Sequence, residues 1–300
     1  MTESIETTGL THHYGTVNSI RMHWVERGSG PLVVLLHGFP EFWYSWRHQL
    51  GALAQAGYRA VAPDQRGYNL TEKPRGVSAY SIDNLVEDVA ALIRQLGEER
   101  AVIVGHDWGG GVAWMFAMRQ PQMTRRLVVM NCPHPAALQQ ALRRNPRQML
   151  RSWYILFFQL PKLPELAFRA RNYRAIERAL RGWALRPGSF SDEDIRAYKE
   201  AAAQPGALTA AINWYRAAAR EFRRERPLPR IQAPTLLIWA TEDRALGTEL
   251  TRDMERWVSD LQIRYIPKTS HWVQQERPEL VNRYLLEFLR DGREGAARPV

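Results

Sequence analysis

The segment from Ala101 to Met118 constrains the fold of this chain more than any other. It begins with an apolar, β-branched run at 101–104 and ends in a stretch of helical composition at 112–118. Between them lies Gly105-His106-Asp107-Trp108-Gly109. A strand that leads directly into a helix needs a sharp turn with a strained central residue, so the flanking residues must be small. The pattern therefore predicts a strand–turn–helix unit that exposes the Asp107 side chain at the carboxyl end of a sheet.

The residue type at position 107 indicates the chemistry. Serine is typical of this kind of turn, and it would indicate acyl transfer. A carboxylate beside the positive end of a helix stays ionised, and it can attack carbon to form an ester that water then hydrolyses. Asp107 therefore indicates displacement at a saturated carbon. Taken alone, the turn has an alternative interpretation, an N-cap aspartate that follows a buried strand.

Strand-like and helix-like segments alternate over the first 131 residues. Leu32–Leu36 is a continuous apolar run, typical of a parallel strand buried on both faces. The alternation predicts an α/β fold with a mostly parallel, doubly wound sheet and right-handed crossovers. We expect strands at 19–27, 32–36, 58–62, 101–106 and 126–131, a helix at 44–56, and a helix capped by Ser81 that runs to about Leu96.

The pattern changes after Pro133. Residues 134–226 contain no strand-like run and have the pattern of amphipathic helices separated by prolines. The sheet pattern resumes after a proline-rich linker, with strands at 235–239 and 261–266 and a helix at 278–289. We therefore predict a core formed by residues 1–133 and 227–300, and a helical cap at 134–226 that lies over the carboxyl ends of the strands. The polar tail at 291–300 is expected to be frayed.

The formal net charge of +10 at pH 7 originates in the cap. Residues 134–226 contain 18 Lys and Arg against 8 Asp and Glu, so they account for the whole excess. Most of these cations are arginines at helical spacing, which is typical of a solvated helix face. Attraction for an acidic substrate or an anionic surface is the alternative. The sequence has no helix-turn-helix, zinc-finger or aromatic RNA-binding pattern, so we expect no nucleic-acid partner.

The composition indicates a cytoplasmic protein. The single cysteine, Cys132, excludes an internal disulfide framework and fits a reducing compartment. The first six residues lack the basic and apolar regions of a signal peptide. No apolar run approaches the roughly 18 residues that a membrane helix needs. We therefore expect no membrane span, and a monomer or a homodimer.

Two later polar residues complete a catalytic constellation. His271 lies in the loop after the last predicted strand, and Asp243 follows the strand at 235–239. The order nucleophile, acid, base is that of an activated-nucleophile triad. His271 would remove a proton from the water that attacks the Asp107 ester, and Asp243 would hold the imidazole tautomer. The adjacent Glu242 is the alternative acid, although the longer loop favours Asp243.

The loop His37-Gly38-Phe39-Pro40 follows the first buried strand. A glycine and a cis Phe39–Pro40 bond would let this loop turn back, so that the Phe39 backbone N–H points into the site. Together with the Trp108 N–H, it would stabilise the oxyanion that forms when water attacks the ester. We assign His37 and His106 to holding loops in place. His12 and His13 have no carboxylate at ligand spacing, so no metal site is expected there.

The constellation resembles the α/β-hydrolase fold family, and within it the epoxide hydrolases. The resemblance covers about residues 15–290 and depends on H-G-F-P at 37–40, G-H-D-W-G-G at 105–110, and the late acid and histidine. Residues 64–69 also resemble the family's loop after the next strand, where we assign Asp64 a structural role. The resemblance implies an α/β-hydrolase fold with an all-helical lid inserted after the sixth strand.

The same resemblance implies two tyrosines in the lid. Epoxide hydrolases use such a pair to hydrogen-bond the epoxide oxygen and to protonate it as the ring opens. Residues 152–159 resemble the segment that carries the first, which is Tyr154 here, and residues 213–216 resemble the segment that carries the second, Tyr215. An alkoxide is a poor leaving group, so donors of this kind lower the cost of its developing charge. Each tyrosine alone also fits an ordinary aromatic residue of an amphipathic helix.

Aromatic residues indicate an apolar pocket and therefore an apolar aryl or alkyl epoxide as substrate, with water as the second reactant. We expect the substrate to contact Phe39, Trp108, Trp153, Phe157 and Trp214. Water and side chains supply every step, so neither a metal nor an organic cofactor is expected.

A haloalkane dehalogenase is the nearest alternative, because it shares the Asp, His and acid constellation. Trp108 fits this alternative, since an indole N–H beside the nucleophile can donate to a leaving halide. Phe39 argues against it, because many dehalogenases carry a halide-binding asparagine there, and a halide needs no pair of phenolic donors. A fluoroacetate-type enzyme would have arginine at position 108 and a lid histidine. A non-catalytic ligand receptor of this fold is a third alternative, although such proteins commonly lack a member of the triad.

Overall fold

An eight-stranded sheet forms the centre of the molecule, in the order β1-β2-β4-β3-β5-β6-β7-β8. The computed structural model describes residues 9–221 and 228–290. The strands are β1 (Thr11–Val17), β2 (Ile20–Arg27), β3 (Leu32–Leu36), β4 (Arg59–Pro63), β5 (Ala101–His106), β6 (Thr124–Met130), β7 (Thr235–Ala240) and β8 (Leu261–Ile266).

Strands β3 to β8 are parallel, whereas β1 and β2 form an antiparallel hairpin whose second strand also runs antiparallel to β4. The chain builds outward from β3 to β4 and then returns to place β5 on the other side of β3. Ligands of open α/β sheets bind at such a point of reversal, at the carboxyl ends of the strands. The loops after β3 and β5 therefore meet where a site is expected, and the mostly parallel α/β fold predicted from the sequence is confirmed.

Helices cover both faces of the sheet. Alternate residues of β3 belong to different apolar clusters, with Val34 and Leu36 on one face and Val33 and Leu35 on the other. This period of two explains why the strand has a continuous apolar sequence. Outside the cap, the helices are α1 (Arg47–Gln55), α2 (Ile82–Gln95), α3 (Trp108–Arg119), α10 (Val273–Glu276) and α11 (Pro278–Arg290).

The described part of the connection between β6 and β7, residues 131–221 and 228–234, contains helices and an isolated β-bridge at Ile231 but no strand. The helices are α4 (Pro135–Arg144), α5 (Pro146–Arg151), α6 (Trp153–Phe157), α7 (Leu163–Trp183), α8 (Asp192–Ala203) and α9 (Ala207–Glu221). Non-helical backbone at Ala170–Tyr173 interrupts α7. We call α4–α9 the cap; the predicted boundary between residues 226 and 227 lies outside the described residues.

Buried polar contacts fix the cap to the loops at the carboxyl ends of the strands. The Trp214 indole N–H donates to the Arg66 carbonyl at 3.1 Å, and the Trp272 indole N–H donates to the Ala179 carbonyl at 2.9 Å. A charge-assisted contact adds to them, because Arg47 lies 3.2 Å from the Asp194 carboxylate. The cap is therefore positioned directly above the reversal point of the sheet.

The structure differs from the sequence-based expectation at the amino-terminal side. The segment with His12 and His13 forms the edge strand β1, which its largely exposed, polar pattern did not predict. His12 Nδ1 lies 2.9 Å from His23 Nε2, and His23 Nδ1 lies 2.6 Å from Asp64. Asp64 also accepts the Trp43 backbone N–H, as its structural assignment requires.

Three further expectations concern segment ends. The helix predicted at 44–56 consists of a 3-10 turn, Trp43–Trp46, followed by α1. The tail at 291–300 lies outside the described residues. Among the described helices, none is long and apolar enough to cross a membrane.

Candidate active site

Asp107 lies at the apex of the turn between β5 and α3. Its backbone has φ 50° and ψ −122°, a conformation that side-chain-bearing residues rarely adopt. The turn is so tight that a Cβ on Gly105 would lie 2.3 Å from the Gly109 carbonyl oxygen, and one on Gly109 would lie 2.1 Å from the Leu36 carbonyl oxygen. Both glycines are required because backbone occupies the space that a side chain would need. The strained turn predicted from the sequence is present.

The two carboxylate oxygens of Asp107 have different surroundings. Oδ1 accepts the Phe39 backbone N–H at 2.8 Å, and Oδ2 lies 3.5 Å from His271 Nε2. Burial alone would raise the pKa of Asp107, but the hydrogen bond and charge of His271, with the Phe39 N–H, lower it below its ordinary value. Asp107 is therefore a carboxylate at neutral pH, with one oxygen fixed and the other directed toward the histidine.

His271 and Asp243 meet as the sequence predicts. His271 Nδ1 lies 2.6 Å from Asp243 Oδ2, and Asp243 Oδ1 accepts the backbone N–H groups of Ala245 and Leu246 at 2.8 and 3.0 Å. Burial alone would raise the pKa of Asp243, but the His271 charge and these hydrogen bonds lower it. The alternative acid, Glu242, is exposed and its carboxylate accepts the Thr241 hydroxyl at 3.3 Å.

The charge balance at His271 follows from its two acidic neighbours. Burial alone would lower the pKa of the imidazole, as it does for an isolated buried base. The Asp243 charge opposes burial most strongly, and the hydrogen bond and charge of Asp107 add to it. The pKa of His271 is consequently raised well above its ordinary value while both carboxylates are ionised.

Asn131 belongs to the site and was not anticipated. It follows β6 directly, and its side-chain amide donates to Asp243 Oδ2 at 2.8 Å. Its side-chain oxygen accepts the Ala240 backbone N–H at 2.9 Å. Asn131 therefore links the carboxyl ends of β6 and β7 and orients the acid that holds His271. In the sequence, only its position at the end of an apolar strand indicated this role.

The loop after β3 supplies a backbone donor, and its Phe39–Pro40 bond is cis. His37 anchors this loop through its ring, because Nε2 accepts the Gln65 N–H at 3.0 Å, leaving Nδ1 to donate to the Gly38 carbonyl at 2.9 Å. Trp108 begins α3 directly after Asp107, so its N–H belongs to the unsatisfied first turn of that helix. The geometry thus directs the Phe39 N–H at the Asp107 carboxylate.

A second buried acid–histidine pair lies behind the first; its histidine, His106, was assigned to holding loops in place, whereas its acid, Glu41, was not anticipated. His106 Nδ1 is 2.8 Å from Glu41 Oε2, and His106 Nε2 is 2.9 Å from the His271 carbonyl oxygen. The Gly38 N–H and the Gln274 amide also donate to the Glu41 carboxylate, at 3.3 and 3.2 Å. Glu41 and His106 therefore connect the three loops that carry Phe39, Asp107 and His271.

Two tyrosines of the cap, Tyr154 and Tyr215, lie together near Asp107. The ring centroids of Tyr154 and Tyr215 are 6.0 Å apart, and the Tyr215 ring lies 4.9 Å from that of Trp108. Burial, and then the Asp107 charge, raise the pKa of each phenol above its ordinary value. The neighbouring Trp108 side chain acts in the opposite direction on the pKa of Tyr215. Both phenols therefore keep their protons at neutral pH.

An apolar cluster packs around these groups. The Phe39 ring lies 5.4 Å from Phe158, 5.5 Å from Phe168 and 5.5 Å from Tyr215. Leu208 and Ile212 from α9 pack into the same cluster, and Phe157 packs against it. Phe168 comes from α7, a helix that no sequence pattern placed at the site.

The remaining predicted contacts are distributed unevenly. Trp214 is buried behind Trp108, with a ring-centroid distance of 5.8 Å. Trp153 is 63 % exposed, and the structure does not include it in the aromatic cluster around Tyr215. Its ring is 6.0 Å from that of Phe157. In the described parts of the chain, no group of three His, Cys, Asp or Glu residues is arranged to hold a metal ion.

Comparisons with known proteins show which family the chain belongs to. Residues 31–278 match the model of the alpha/beta hydrolase fold family. The AB hydrolase superfamily protein YfhM of Bacillus subtilis is 43% identical over 285 residues, which cover 94% of this chain and 99% of that protein. Epoxide hydrolase 1 of Caenorhabditis elegans is 39% identical over 287 residues, covering 94% of this chain and 70% of that protein.

A solved structure extends the similarity to the whole fold. The epoxide hydrolase of Bacillus megaterium in complex with an inhibitor superposes with a TM-score of 0.87 at 31% identity, covering 93% of this chain and 100% of that one. The chain therefore belongs to the α/β-hydrolase fold family. Within that family, it belongs with the epoxide hydrolases.

Proposed function

We propose that the protein hydrolyses an epoxide to a vicinal diol through a covalent ester on Asp107. One observation carries the proposal: Asp107 has one oxygen on the Phe39 N–H and the other facing His271, beneath the paired phenols of Tyr154 and Tyr215. Nucleophile, proton donors, base and oxyanion donor thus converge on one apolar pocket. The similarity to named epoxide hydrolases supports the same reaction.

In the first step, Asp107 Oδ2 attacks a ring carbon of the epoxide. Oδ1 is held by the Phe39 N–H, so Oδ2 is the oxygen left to form the bond. The carbon–oxygen bond of the ring breaks, and the epoxide oxygen takes a proton from Tyr154 or Tyr215. Because burial keeps both phenols protonated, each retains a hydrogen to donate. A positioned general acid typically contributes a factor of about 10² to 10⁴ to the rate.

In the second step, His271 removes a proton from water, and the resulting hydroxide attacks the ester carbon of Asp107. Negative charge develops on Oδ1, which already accepts the Phe39 N–H and to which we assign the Trp108 N–H as a second donor. The bond between the ester carbon and Oδ2 then breaks. The diol leaves with Oδ2 and receives its proton from His271. The carboxylic acid left on Asp107 then passes its remaining proton to His271, which restores the carboxylate and the imidazolium of the free enzyme.

The two steps are linked through the protonation of His271. In the free enzyme, Asp107 contributes a hydrogen bond and a charge that raise the pKa of the imidazole. Alkylation turns Asp107 into a neutral ester, so only the Asp243 carboxylate still stabilises the imidazolium. The pKa of His271 therefore falls when the ester forms, and its proton can pass to the phenolate left by the first step. His271 is thus deprotonated, and able to act as the base, once the ester has formed.

The pocket favours an apolar epoxide. Phe39, Phe158 and Phe168 supply aromatic faces, and Leu208 and Ile212 supply aliphatic surface. A pocket of this composition gains most from burying an aryl or alkyl group. The single cysteine supports a reducing cytoplasmic location, and a monomeric or homodimeric state stays a prediction.

Haloalkane dehalogenation is disfavoured by the role of Trp108. Its ring packs edge-to-face against Tyr215 with the centroids 4.9 Å apart, so a cap phenol lies directly against the indole. Phe39 presents an apolar ring at the other side of the nucleophile, where it offers a leaving halide no donor. Receptor function is disfavoured because a carboxylate nucleophile, a histidine and an acid are all present and in contact.

The decisive experiment uses His271→Gln. Without the base, alkylation should proceed and ester hydrolysis should stall, so that the alkylated protein accumulates. Intact-protein mass spectrometry after incubation with styrene oxide should show a mass increase equal to the whole epoxide, and digestion should locate it on the peptide with Asp107. A chloroalkane incubated in parallel should give no adduct. Normal turnover by this variant, or an adduct on another residue, would exclude the ester mechanism.

A further inference from the structure

A row of large apolar side chains projects into solvent from the outer surface of the cap. Leu150, Leu156 and Leu166 are 75, 76 and 62 % exposed. Isolated exposed leucines are ordinary, but a continuous group is uncommon on a monomeric protein and marks an interaction surface. We call it the apolar cap face; it comprises Met149, Leu150, Trp153, Leu156, Leu160, Leu163 and Leu166.

These residues recur at a regular spacing along one stretch of the chain. From Leu150 to Leu166 they follow one another at intervals of three or four residues, across α5, α6 and the start of α7. Residues at these intervals are neighbours on a helical surface. Helix α6 divides its side chains accordingly, because Tyr154 and Phe157 pack toward the site whereas Trp153 and Leu156 point outward.

Cations border the apolar cap face. The segment 144–171 contains six Lys and Arg residues, all exposed, and a single carboxylate, Glu165. Glu165 is buried and pairs with Arg216 at 2.7 Å, so it does not offset the surface charge. Arg151 lies 3.8 Å from Glu249, whereas the other five cations of the segment form no ion pair with any residue in 9–221 or 228–290.

We propose that the apolar cap face binds the surface of an anionic lipid membrane. Leucines and a tryptophan flanked by arginines are the composition of helices that lie in a bilayer interface. Arg147 and Leu150 are three residues apart on α5, and Leu166 and Arg169 are three apart on α7, so each cation can reach lipid headgroups while the adjacent leucine enters the acyl boundary. Trp153 suits the boundary between headgroups and acyl chains.

Charge distinguishes this occupant from a second copy of the chain. In a symmetric dimer the same patch meets itself, which would place the arginines of one copy beside those of the other. Anionic headgroups instead neutralise them. Each Lys or Arg near the surface increases partitioning onto the membrane about fivefold. Nucleic acid would satisfy the cations but would leave the leucines in water.

Membrane binding does not require the proposed function, although it would complement it. An apolar epoxide concentrates in a bilayer, and α6 has the bilayer face on one side and Tyr154 on the other. This consequence depends on the proposed epoxide hydrolysis. Binding and catalysis are therefore measured separately, and binding is measured without any substrate.

The test is co-sedimentation of the full chain with lipid vesicles. We expect binding to vesicles that contain phosphatidylglycerol, little binding to phosphatidylcholine alone, and release at high salt. Leu150→Asn with Leu166→Asn should weaken partitioning about tenfold or more. Arg147→Gln with Arg169→Gln should weaken it about 25-fold. Arg100→Gln with Arg125→Gln is the matched control, because these exposed arginines lie at the amino ends of β5 and β6, away from the cap.

Circular dichroism and turnover of a water-soluble epoxide, expected to be unchanged in all three double variants, verify that each remains folded. Equal binding to both kinds of vesicle, or binding that survives both cap variants, would overturn the proposal. A wild-type dimer that becomes a monomer in the variant Leu150→Asn with Leu166→Asn would also overturn the proposal, because the face would then bind a second copy of the chain. Vesicle binding without epoxide turnover would support this proposal while contradicting the proposed function.

Discussion

Asn131 donates its side-chain amide to the same Asp243 oxygen that His271 contacts. The two distances are 2.8 Å from Asn131 Nδ2 and 2.6 Å from His271 Nδ1, both to Asp243 Oδ2. Asn131 itself adopts a positive φ of 41°, and its side-chain oxygen holds the Ala240 N–H. The orientation of the Asp243 carboxylate therefore depends on a residue of the neighbouring strand end.

Replacing Asn131 with alanine should slow ester hydrolysis more than ester formation. The amide stabilises the Asp243 carboxylate, which in turn stabilises the His271 imidazolium in the second step. A hydrogen bond to a charged group typically contributes about 1.5–3 kcal/mol, so hydrolysis should slow about tenfold to a hundredfold. Rapid-quench mass spectrometry should show transient accumulation of alkylated protein. The matched control is Asn282→Ala, which removes a side-chain amide that donates to the His48 carbonyl, and it should hydrolyse the ester normally.

Tyr154→Phe and Tyr215→Phe should each slow alkylation of Asp107, and the double variant should lose most of it. Two phenols beside one developing alkoxide can partly replace each other, so each single change should cost about tenfold to a hundredfold and the double change about 10³-fold or more. Stopped-flow measurement of alkylation checks this. Tyr265→Phe is the control, since Tyr265 lies on β8 and its hydroxyl contacts that of Thr251 at 2.6 Å. A double variant with the wild-type alkylation rate would show that both residues serve only in packing.

The pKa of His271 should fall when either carboxylate is neutralised. Asp243 raises it most and Asp107 raises it further, so Asp243→Asn should lower it more than Asp107→Asn. A histidine with a raised folded-state pKa contributes stability that is complete below the unfolded pKa of about 6.5 and disappears as pH rises through the folded pKa. Both variants should therefore lose stability mainly toward acidic pH. Nuclear magnetic resonance titration of the His271 ring tests the order, and an unchanged pKa in both variants would contradict the coupling.

The sequence predicts best those features whose determining residues lie close together in the chain. The turn at Asp107 is set by Gly105 and Gly109, two residues away on each side, and each is blocked by backbone. The apolar pattern of Leu32–Leu36 reflects burial on both faces of one strand. Local constraint of this kind is visible without tertiary structure.

The features that the sequence does not reveal depend on distant packing. Asn131 had the pattern of an ordinary strand end, because its partner Asp243 is more than a hundred residues later. Trp153 and Tyr154 are adjacent, and only the packing of α6 decides that the tyrosine faces the site and the tryptophan faces solvent. Strand β1 is an exposed edge with polar side chains, so it lacks the apolar alternation that marks a strand.

Gly38→Ala should disable the enzyme through a direct collision with the nucleophile. A Cβ at this position would lie 2.4 Å from the Asp107 Cβ and 2.6 Å from Oδ1, closer than real contacts allow. Gly38 does not have a positive φ, so the effect is steric and not a matter of backbone preference. Asp107 must move away from the Phe39 N–H, and a misplacement of about 1 Å can cost about a hundredfold in rate.

Gly111→Ala supplies the matched comparison for Gly38→Ala. Gly111 lies in α3, where the nearest atom to an added Cβ, on Trp108, is 4.0 Å away, so the methyl group has room. Alanine is favoured over glycine inside a helix by up to about 1 kcal/mol, so this variant should keep its activity and unfold at an equal or higher temperature. Steady-state kinetics and thermal unfolding of both variants separate loss of geometry from loss of fold. A wild-type kcat in Gly38→Ala would show that catalysis does not depend on the contact between the Asp107 carboxylate and the Phe39 N–H.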